Sequence, residues 1–278
     1  MDGVRVRLLG VRGSMPVHGE SRAAFGGETS CVLYQAGEET VILDAGTGLM
    51  WEELPKALSQ PRFTMLLSHT HVDHIIGFPM FSPLFNPECH CDVCLRTREG
   101  RTAKEQLETL MAPPLWPVRT DAMRASVQFH DVPSAFSIGD IHVESMEVRH
   151  PGGATAYKLV WRDISVVYAT DAELEMEDVP SFCSFAGGCG LLLLDAQYTE
   201  EEYRYTKGFG HMPVARACEV ASRCVARQTV LVHHAPMRTD EQHSAWNRQF
   251  QQEGKTIRFG HAGEELALGP SLVDSWRE

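Results

Sequence analysis

One short stretch, residues 64–77, constrains what this chain can fold into more than any other part of the sequence. Its apolar start over 64–68 is followed, within six positions, by four side chains that can bind metal: His69, His71, Asp73 and His74. The apolar run predicts a buried strand, and the residues after His71 can begin a helix. The four side chains therefore lie on a strand-to-helix loop. The first two histidines can reach one metal from an extended backbone, and the aspartate–histidine pair, one turn later, faces a second.

The chemistry of these side chains indicates which ions they can bind. A single histidine most often lies on the surface or is satisfied in the core, but four such residues directly after a buried strand favour a metal site. Neutral imidazole and carboxylate groups suit zinc, manganese and iron. We therefore expect two divalent metal ions, with zinc preferred and manganese or iron as alternatives.

Length and charge limit the remaining functions. At 278 residues the chain is long enough to bury a substantial core, and we interpret it as a single domain. A formal net charge of −12 disfavours general nucleic-acid binding, because neutralising phosphates requires a basic surface. The first twenty residues carry three arginines and no sustained apolar stretch, and no later run approaches a membrane span. A cytoplasmic protein without a membrane partner is the default expectation.

The eight cysteines are too few in a chain of this length to indicate a disulfide scaffold. The dense group Cys89, Cys91 and Cys94 stands apart, since it could bind a separate zinc ion or line a substrate loop. Zinc ribbons usually offer two CxxC pairs, and this group offers one. We therefore favour a reduced, partly exposed loop over a private zinc site.

The N-terminal third predicts strands that are joined by glycine-marked loops. The expected elements are strands over 4–11, 31–35 and 40–43 and a helix over 49–58. The loop 12–30 is too irregular for a regular element, and loops of this length are often functional. Asp44 ends a buried strand just before Gly46 and Gly48. It can either close a turn or hydrogen-bond a metal-bound histidine.

Prolines and weak periodicity mark residues 78–125, which we interpret as a lid or dimer-contact insertion with one helix, 103–111. A meander of four strands is expected after it, over 126–132, 141–148, 154–161 and 164–169. Two of these strands end in side chains that carry chemistry. His150 follows the second strand, and Asp171 follows the fourth.

The final third alternates strands and helices. The expected elements are strands over 190–194 and 229–232 and helices over 199–205, 213–224 and 240–252. Asp195 follows the first of these strands, and the doublet His233-His234 follows the second. Every candidate site residue thus lies at a strand end or in the following loop, as the catalytic edge of a packed sheet requires.

The assembled pattern, His69-x-His71-x-Asp73-His74 followed by His150, Asp171 and His233, resembles the metallo-β-lactamase superfamily of hydrolases. The resemblance covers nearly the whole chain, including the segments 10–14 and 44–48. It implies an α/β (α+β) fold, an αββα sandwich of two mixed β-sheets flanked by helices.

The same resemblance implies the metal ligands. The first site would comprise His69, His71 and His150, and the second site would comprise Asp73, His74 and His233. Asp171 would bridge the two metals. His234 is the alternative to its neighbour as the last ligand.

Within the superfamily the chain is most similar to the phosphodiesterase branch that includes tRNase Z and cyclic-nucleotide phosphodiesterases. The similarity lies in Gly210-His211 running into an alanine-rich helix, although Met212 and Pro213 stand where that branch has serine and threonine. Asp171 as the bridge also fits phosphodiesterases better than lactam hydrolases. The resemblance implies cleavage of a cyclic nucleotide or a similar small phosphodiester, and a homodimer.

A mechanism follows from this resemblance. A water shared by the two metals would supply the attacking hydroxide near neutral pH, and Asp73 would bind metal and orient this nucleophile. His211 would touch the phosphate or protonate the leaving oxygen, and Asp195 would fix the tautomer of His211. The simpler alternative for His211 is a helix-entry residue that makes no substrate contact.

Three other functions compete with the phosphodiesterase hypothesis. A tRNA 3′-processing endonuclease usually carries a flexible basic arm, and the insertion at 78–125 is rich in cysteine and proline instead. Hydrolysis of a thioester, lactone or lactam could use the same metals, but His211 argues against it. A non-enzymatic metal-binding module fits poorly with a complete set of ligands.

Overall fold

Two mixed β-sheets pack face to face at the centre of the protein. The computed structural model describes residues 3–52, 54–58 and 60–269. In chain order the strands are β1 (Val4–Gly10), β2 (Cys31–Ala36), β3 (Glu39–Leu43), β4 (Arg62–Leu66), β5 (His90–Leu95), β6 (Ser126–Asp131), β7 (Ala135–Ile138), β8 (Ile141–Val148), β9 (Ala154–Trp161), β10 (Ile164–Ala169), β11 (Leu191–Asp195), β12 (Thr229–Val232), β13 (Ile257–Phe259) and β14 (Glu265–Leu268). Over the described residues the sheet orders are β14-β1-β2-β3-β4-β5-β6 and β13-β12-β11-β10-β9-β8-β7.

Helices cover the outer face of each sheet. They are α1 (Leu54–Ala57), α2 (Val72–Ile75), α3 (Ala103–Leu110), α4 (Val179–Ala186), α5 (Glu200–Thr206), α6 (Val214–Cys224) and α7 (Asp240–Gln252). Apolar residues of α2 and α3 join the layer outside the first sheet, and those of α4, α6 and α7 join the layer outside the second. A third apolar layer fills the space between the sheets. The predicted αββα sandwich is therefore confirmed.

Strand β11 illustrates how the sequence specifies this layering. Its four leucines are fully buried, with Leu191 and Leu193 in the layer between the sheets and Leu192 and Leu194 in the layer beneath the helices. A strand that alternates between two apolar layers needs an uninterrupted apolar run, because both of its faces are covered. Each such leucine contributes roughly 1.5–3 kcal/mol through burial.

The sheet topology brings the candidate side chains to one edge. Strands β3, β4 and β5 run parallel in the first sheet, and β10, β11 and β12 run parallel in the second. The carboxyl ends of parallel strands meet at the same edge of a sheet, so the loops after β4, β10, β11 and β12 lie close together. The loop between the antiparallel strands β8 and β9 joins them there.

The cysteine-rich segment differs from its prediction. Residues His90–Leu95 form β5, which pairs in parallel with both β4 and β6 in the interior of the first sheet. Cys89, Cys91 and Cys94 are free and buried, so the predicted partly exposed loop is wrong. The physical reason is that a reduced cysteine packs as a small apolar residue. Among the described residues, none of the groups of three candidate metal ligands includes a cysteine.

This strand also narrows the predicted insertion at 78–125. Part of that segment belongs to the sheet. The helix expected at 103–111 is α3, which begins with a capping box: the side chain of Thr102 accepts the amide hydrogen of Glu105, and the side chain of Glu105 accepts that of Thr102. A role of α3 and its flanking residues as a lid or dimer contact stays a prediction.

Two further predictions required correction. The segment expected as the first strand of a four-strand meander is β6 of the first sheet, and the second sheet begins instead with β7, which was not predicted. The helix expected over 49–58 is a 3₁₀ turn at 47–50 and the short α1, because Pro55 lacks the amide hydrogen that a continuous helix needs. Residue 53 of that range lies outside the described residues.

The remaining expected strands and helices are present with small shifts at their ends. The strand expected at 64–68 is β4, two residues earlier. Helix α4 and strands β13 and β14 were not predicted. None of the helices in the described part of the chain has the length and apolar character that a membrane span requires.

Candidate metal centre

The first group of candidate ligands comes from two loops. His69 and His71 follow β4, and His150 follows β8, and their ligand atoms all lie within 4.8 Å of one another. His150 Nε2 lies 3.0 Å from His71 Nδ1. His69 and His150 are buried, whereas His71 is exposed. The three histidines predicted for the first site are therefore brought together. The group is accessible to solvent at His71.

The second group of candidate ligands comes from two places: Asp73 and His74 lie on the loop after β4, and His233 directly follows β12. Asp73 Oδ2 lies 3.2 Å from His74 Nε2 and 3.2 Å from His233 Nε2. All three side chains are buried. The residues predicted for the second site therefore also converge.

Asp171 lies between the two groups and faces each with a different oxygen. Its Oδ1 is 3.8 Å from His69 Nε2 and 3.6 Å from His150 Nε2. Its Oδ2 is 3.1 Å from His74 Nε2 and 3.2 Å from His233 Nε2. This division of the carboxylate is the arrangement that a bridging ligand requires.

The donor atoms fit divalent metal ions. The Nε2 atoms of His69 and His74 are buried beside carboxylate oxygens at 3.1 to 3.8 Å but do not meet the geometry of a hydrogen bond. Buried polar atoms that are poorly satisfied are costly, so an ion among these nitrogens and oxygens would satisfy them. Imidazole nitrogens and carboxylate oxygens at these positions form a donor set suited to zinc, manganese or iron.

The electrostatics give His69, His150 and Asp171 the protonation states that metal binding needs, whereas the raised pKa of His74 means that this imidazole would lose a proton on binding an ion. Burial lowers the pKa of His150 to about 4 and holds the pKa of His69 well below its ordinary value, so both imidazoles are neutral near pH 7. Burial opposes ionisation of Asp171, but His233, His74 and other nearby histidines outweigh it and hold the pKa of this carboxyl well below its usual range. Neutral histidines and an ionised aspartate are the ligand forms that bind metal.

The carboxylate of Asp44 holds the imidazole ring of His74 in place. Its Oδ2 accepts hydrogen bonds from His74 Nδ1 at 2.7 Å, from Ser68 Oγ at 2.8 Å and from Tyr168 OH at 2.8 Å. Burial opposes a charge on His74, but the carboxylates of Asp171, Asp73 and Asp44 outweigh it and raise its pKa well above the ordinary value. Of the two roles predicted for Asp44, the hydrogen bond to a candidate ligand is observed. This bond orients the ring so that Nε2 faces the centre.

A second histidine–aspartate pair lies beside the ligand groups. His211 Nδ1 is 2.7 Å from Asp195 Oδ2, and Asp195 Oδ1 accepts the amide hydrogen of Met212 at 2.9 Å. The ring of His211 stacks on His233 at 4.7 Å and lies 5.2 Å from the ring of His150. Burial opposes protonation of His211, but Asp195 outweighs it and raises the pKa above its ordinary value.

The two side chains of the histidine doublet lie in different surroundings. His233 faces Asp73 and Asp171, whereas His234 Nε2 lies 3.2 Å from the carbonyl oxygen of Leu231, and its ring packs against His243 at 4.2 Å. The His233 backbone has φ 60°, a left-handed conformation that costs a non-glycine residue energy.

The structure adds residues that the sequence did not single out. The backbone amide of Ser14 donates to Asp73 Oδ2 at 2.7 Å, and Gln197 Nε2 lies 3.4 Å from His233 Nδ1. Gly13 lies so close to His233 that a Cβ atom would overlap the imidazole ring. The glycine-marked loop at 12–30 therefore forms one wall of the centre, which its irregular sequence indicated only as a functional loop.

Glu173 organises the loop that carries His211. Its Oε1 accepts the amide hydrogen of Gly208 at 2.7 Å, and its Oε2 accepts that of Gly210 at 2.9 Å. The carbonyl oxygen of Gly210 lies 3.2 Å from His150 Nδ1. The buried Glu173 carboxylate thus determines the position of a loop that contacts the first group and bears the histidine beside the centre.

The chain belongs to the β-lactamase superfamily, because the family model described as the beta-lactamase superfamily domain matches residues 39–234. Together with the fold and the His/Asp groups, this makes it a metallo-β-lactamase-fold hydrolase whose centre can hold divalent metal ions. No curated protein sequence matches the chain.

Several solved structures share the fold at low sequence identity. The metallo-β-lactamase fold protein YhfI from Bacillus subtilis is 16% identical, with a TM-score of 0.71 and coverage of 96% of this chain and 100% of that chain. A diphosphatase from the PhnP family is 18% identical, with a TM-score of 0.74 and coverage of 95% and 97%. The short form of human tRNase Z is 14% identical, with a TM-score of 0.69 and coverage of 95% and 99%.

Proposed function

We propose that this chain is a dinuclear metal-dependent phosphodiesterase that acts on a cyclic nucleotide or a similar small phosphodiester. Its metal ligands would be His69, His71 and His150 at one ion and Asp73, His74 and His233 at the other, with Asp171 shared. Two divalent ions, zinc in preference to manganese or iron, would supply Lewis-acid chemistry and water activation at this centre.

The observation that carries the proposal is the His211–Asp195 pair beside the ligand groups. Asp195 accepts from His211 Nδ1, so Nε2 is the nitrogen left to interact with a substrate. A raised pKa keeps a proton available on this ring near neutral pH. An alkoxide leaving from phosphorus needs such a proton, and general acids contribute about 10²- to 10⁴-fold to rates. His211 would therefore protonate the leaving oxygen, and Asp195 would fix its tautomer.

Other residues of the chain would orient the reaction. Asp73 Oδ2 accepts the Ser14 amide hydrogen, which holds this carboxylate against the second group while its position at the centre lets it orient the nucleophile. The resemblance of the fold to a PhnP-family diphosphatase and to tRNase Z supports chemistry at phosphorus. The net charge of −12 supports a small substrate rather than a large nucleic acid. A homodimer and a cytoplasmic location stay predictions.

The test compares two kinds of phosphodiester in wild-type protein and in the His211→Ala variant. Wild-type protein reconstituted with zinc or manganese should hydrolyse bis(p-nitrophenyl) phosphate and a cyclic nucleotide. In His211→Ala, cleavage of the cyclic nucleotide should fall about 10²- to 10⁴-fold. Cleavage of the p-nitrophenyl ester should fall less than about tenfold, because p-nitrophenolate leaves without a proton.

Two controls make this result specific. His142→Ala removes an exposed histidine of β8 and should leave both rates unchanged. Asp73→Ala, which removes a proposed ligand, should abolish both. Equal losses for the two substrates in His211→Ala would remove the general-acid role. No turnover of either substrate by wild-type protein carrying two metals would favour a carbon-centred ester or a larger RNA instead.

A second prediction concerns Glu173. In Glu173→Gln, an NH₂ group replaces one carboxylate oxygen and cannot accept the amide hydrogen of Gly208 or Gly210. The loop should shift, and affinity for the first metal should fall about 10- to 100-fold, as for other residues that hold a ligand in place. Titration of zinc against a competing chelator measures this affinity. Glu177→Gln, which alters an exposed carboxylate paired with Arg149, is the matched control and should bind zinc as wild type does.

A further inference from the structure

A cavity of about 320 Å³ opens beside the first group of ligands. Its floor includes His69 and His71, and one wall is the glycine turn after His150. Another wall comes from α3 and the turn that precedes it. His211 does not line this cavity. On the proposed function the leaving group lies at His211, so the cavity is the place for the ester group that stays on phosphorus.

The wall of α3 and its preceding turn presents two arginines to the cavity. Arg98 and Arg101 face each other across a tight two-residue turn, in which Glu99 and Gly100 have φ 49° and 73°. Arg98 is held in place by Glu147 and by Thr155 Oγ1 at 2.7 Å, and its buried Nε makes no hydrogen bond. Arg98 is therefore fixed by the protein itself and is not the cation left for a ligand.

Arg101 is the cation that is free to bind a ligand. It is exposed, forms no ion pair with any residue that the structure describes, and donates to Thr109 Oγ1 of α3 at 3.4 Å. The carboxylate of Glu105 accepts the capping hydrogen bonds of Thr102 and interacts with Arg101 only from beyond ion-pair distance. Thr109 Oγ1 donates its own hydrogen to the carbonyl oxygen of Glu105 at 3.2 Å, so the guanidinium of Arg101 is the donor that this wall offers to a ligand.

The remaining lining combines the polar residues Thr70, Glu99 and Gln106 with a group of apolar side chains. Val72 and Leu115 line it with 55% and 66% of their surfaces exposed, and Ile75 and Leu110 lie behind them. Exposed apolar side chains that border a cavity favour a ligand with an apolar body. The cavity volume of about 320 Å³ suits one ring-sized group.

We infer that the cavity binds the retained ester group of the substrate and that this group carries a second anionic substituent, which Arg101 recognises. The inference rests on the proposed function. It specifies the substrate class further, as a phosphodiester in which one ester group combines a ring-sized apolar body with a phosphate monoester or a carboxylate. Guanidinium pairs well with either anion.

The experiment uses three p-nitrophenyl phosphodiesters that share one leaving group. Their retained groups are phenyl, 4-carboxyphenyl and 4-(phosphonooxy)phenyl, so they differ only in the second anion and distinguish its two sources. In wild-type protein, kcat/KM for at least one anionic ester should exceed that for the phenyl ester about tenfold to a hundredfold, as expected for one charged hydrogen-bonded pair. In Arg101→Ala this ratio should fall to near one, and Arg101→Lys should keep part of it.

The matched control is Arg223→Ala, which removes an exposed arginine of α6 that pairs with Glu219. It removes the same charge outside the cavity and should leave the ratio unchanged. A ratio near one in wild type, or the same ratio in wild type and Arg101→Ala, would overturn the inference. If wild-type protein cleaves none of the three esters, the proposed function fails. Calorimetric titration of the esters into the protein then tests separately whether the cavity binds the anionic group. Binding of an anionic ester that depends on Arg101 supports the inference, and binding that is unaffected by Arg101→Ala overturns it.

Discussion

Asp171→Asn is expected to lower phosphodiester turnover at least about a thousandfold and to reduce the bound metal from two ions to one or fewer. Each oxygen of this carboxylate faces a different group of ligands, so one substitution alters both sites. The amide keeps the shape of the side chain but loses its charge, and its NH₂ group cannot donate electrons to a metal. The substitution therefore separates the effect of charge from that of packing.

Metal content by elemental analysis and turnover of bis(p-nitrophenyl) phosphate should be measured on the same preparation. The matched control is Asp121→Asn, which alters an exposed aspartate in a short 3₁₀ turn and should change neither quantity. Two bound ions together with a loss of less than tenfold in turnover would show that Asp171 does not bridge the metals.

Removal of metal by a chelator is expected to abolish turnover and to lower the unfolding temperature by about 5–15 °C. The centre packs the ionised carboxylates of Asp73 and Asp171 together with histidine nitrogens that make no hydrogen bond. Ions bound only by the folded protein contribute about 2.7–4 kcal/mol when their free concentration is 100 to 1,000 times the dissociation constant. The loss of this contribution should appear in thermal unfolding.

Scanning calorimetry of the metal-loaded and chelated protein measures this shift, and addition of zinc should restore both stability and activity. Asp171→Asn should show a smaller shift than wild type, because its centre holds fewer ions. Identical unfolding temperatures with and without metal, at full occupancy by elemental analysis, would contradict the expected coupling between the centre and the fold.

The candidate ligands could be predicted because they are local in sequence. His69, His71, Asp73 and His74 lie within six residues, and the other candidates directly follow apolar strands whose ends the pattern of residues marks. The carboxyl ends of parallel strands meet at one edge of the sheet, independently of how the other elements of the sandwich pack. The ligand groups therefore depend little on element boundaries, and shifts of a residue or two did not matter.

The errors arose where long-range pairing decides the structure. The cysteine-rich segment became an interior strand because β4 and β6 lie on either side of it, and nothing in its composition shows those neighbours. The strand β6 was assigned to the wrong sheet for the same reason. Strand propensity describes a segment, whereas sheet membership depends on partners that are distant in the chain.

By itself, the sequence of this protein determined the loop of four candidate ligands and the other strand-end residues that accompany them, and its resemblance to the metallo-β-lactamase superfamily implied the αββα architecture. Only the tertiary structure decided how these residues face one another. It placed His233 rather than His234 in the centre, divided the two oxygens of Asp171 between the groups, and placed Glu173 beneath the loop of His211. The physical reason is that side-chain direction depends on backbone conformation and packing at each strand end, and these are set by contacts between residues far apart in the chain.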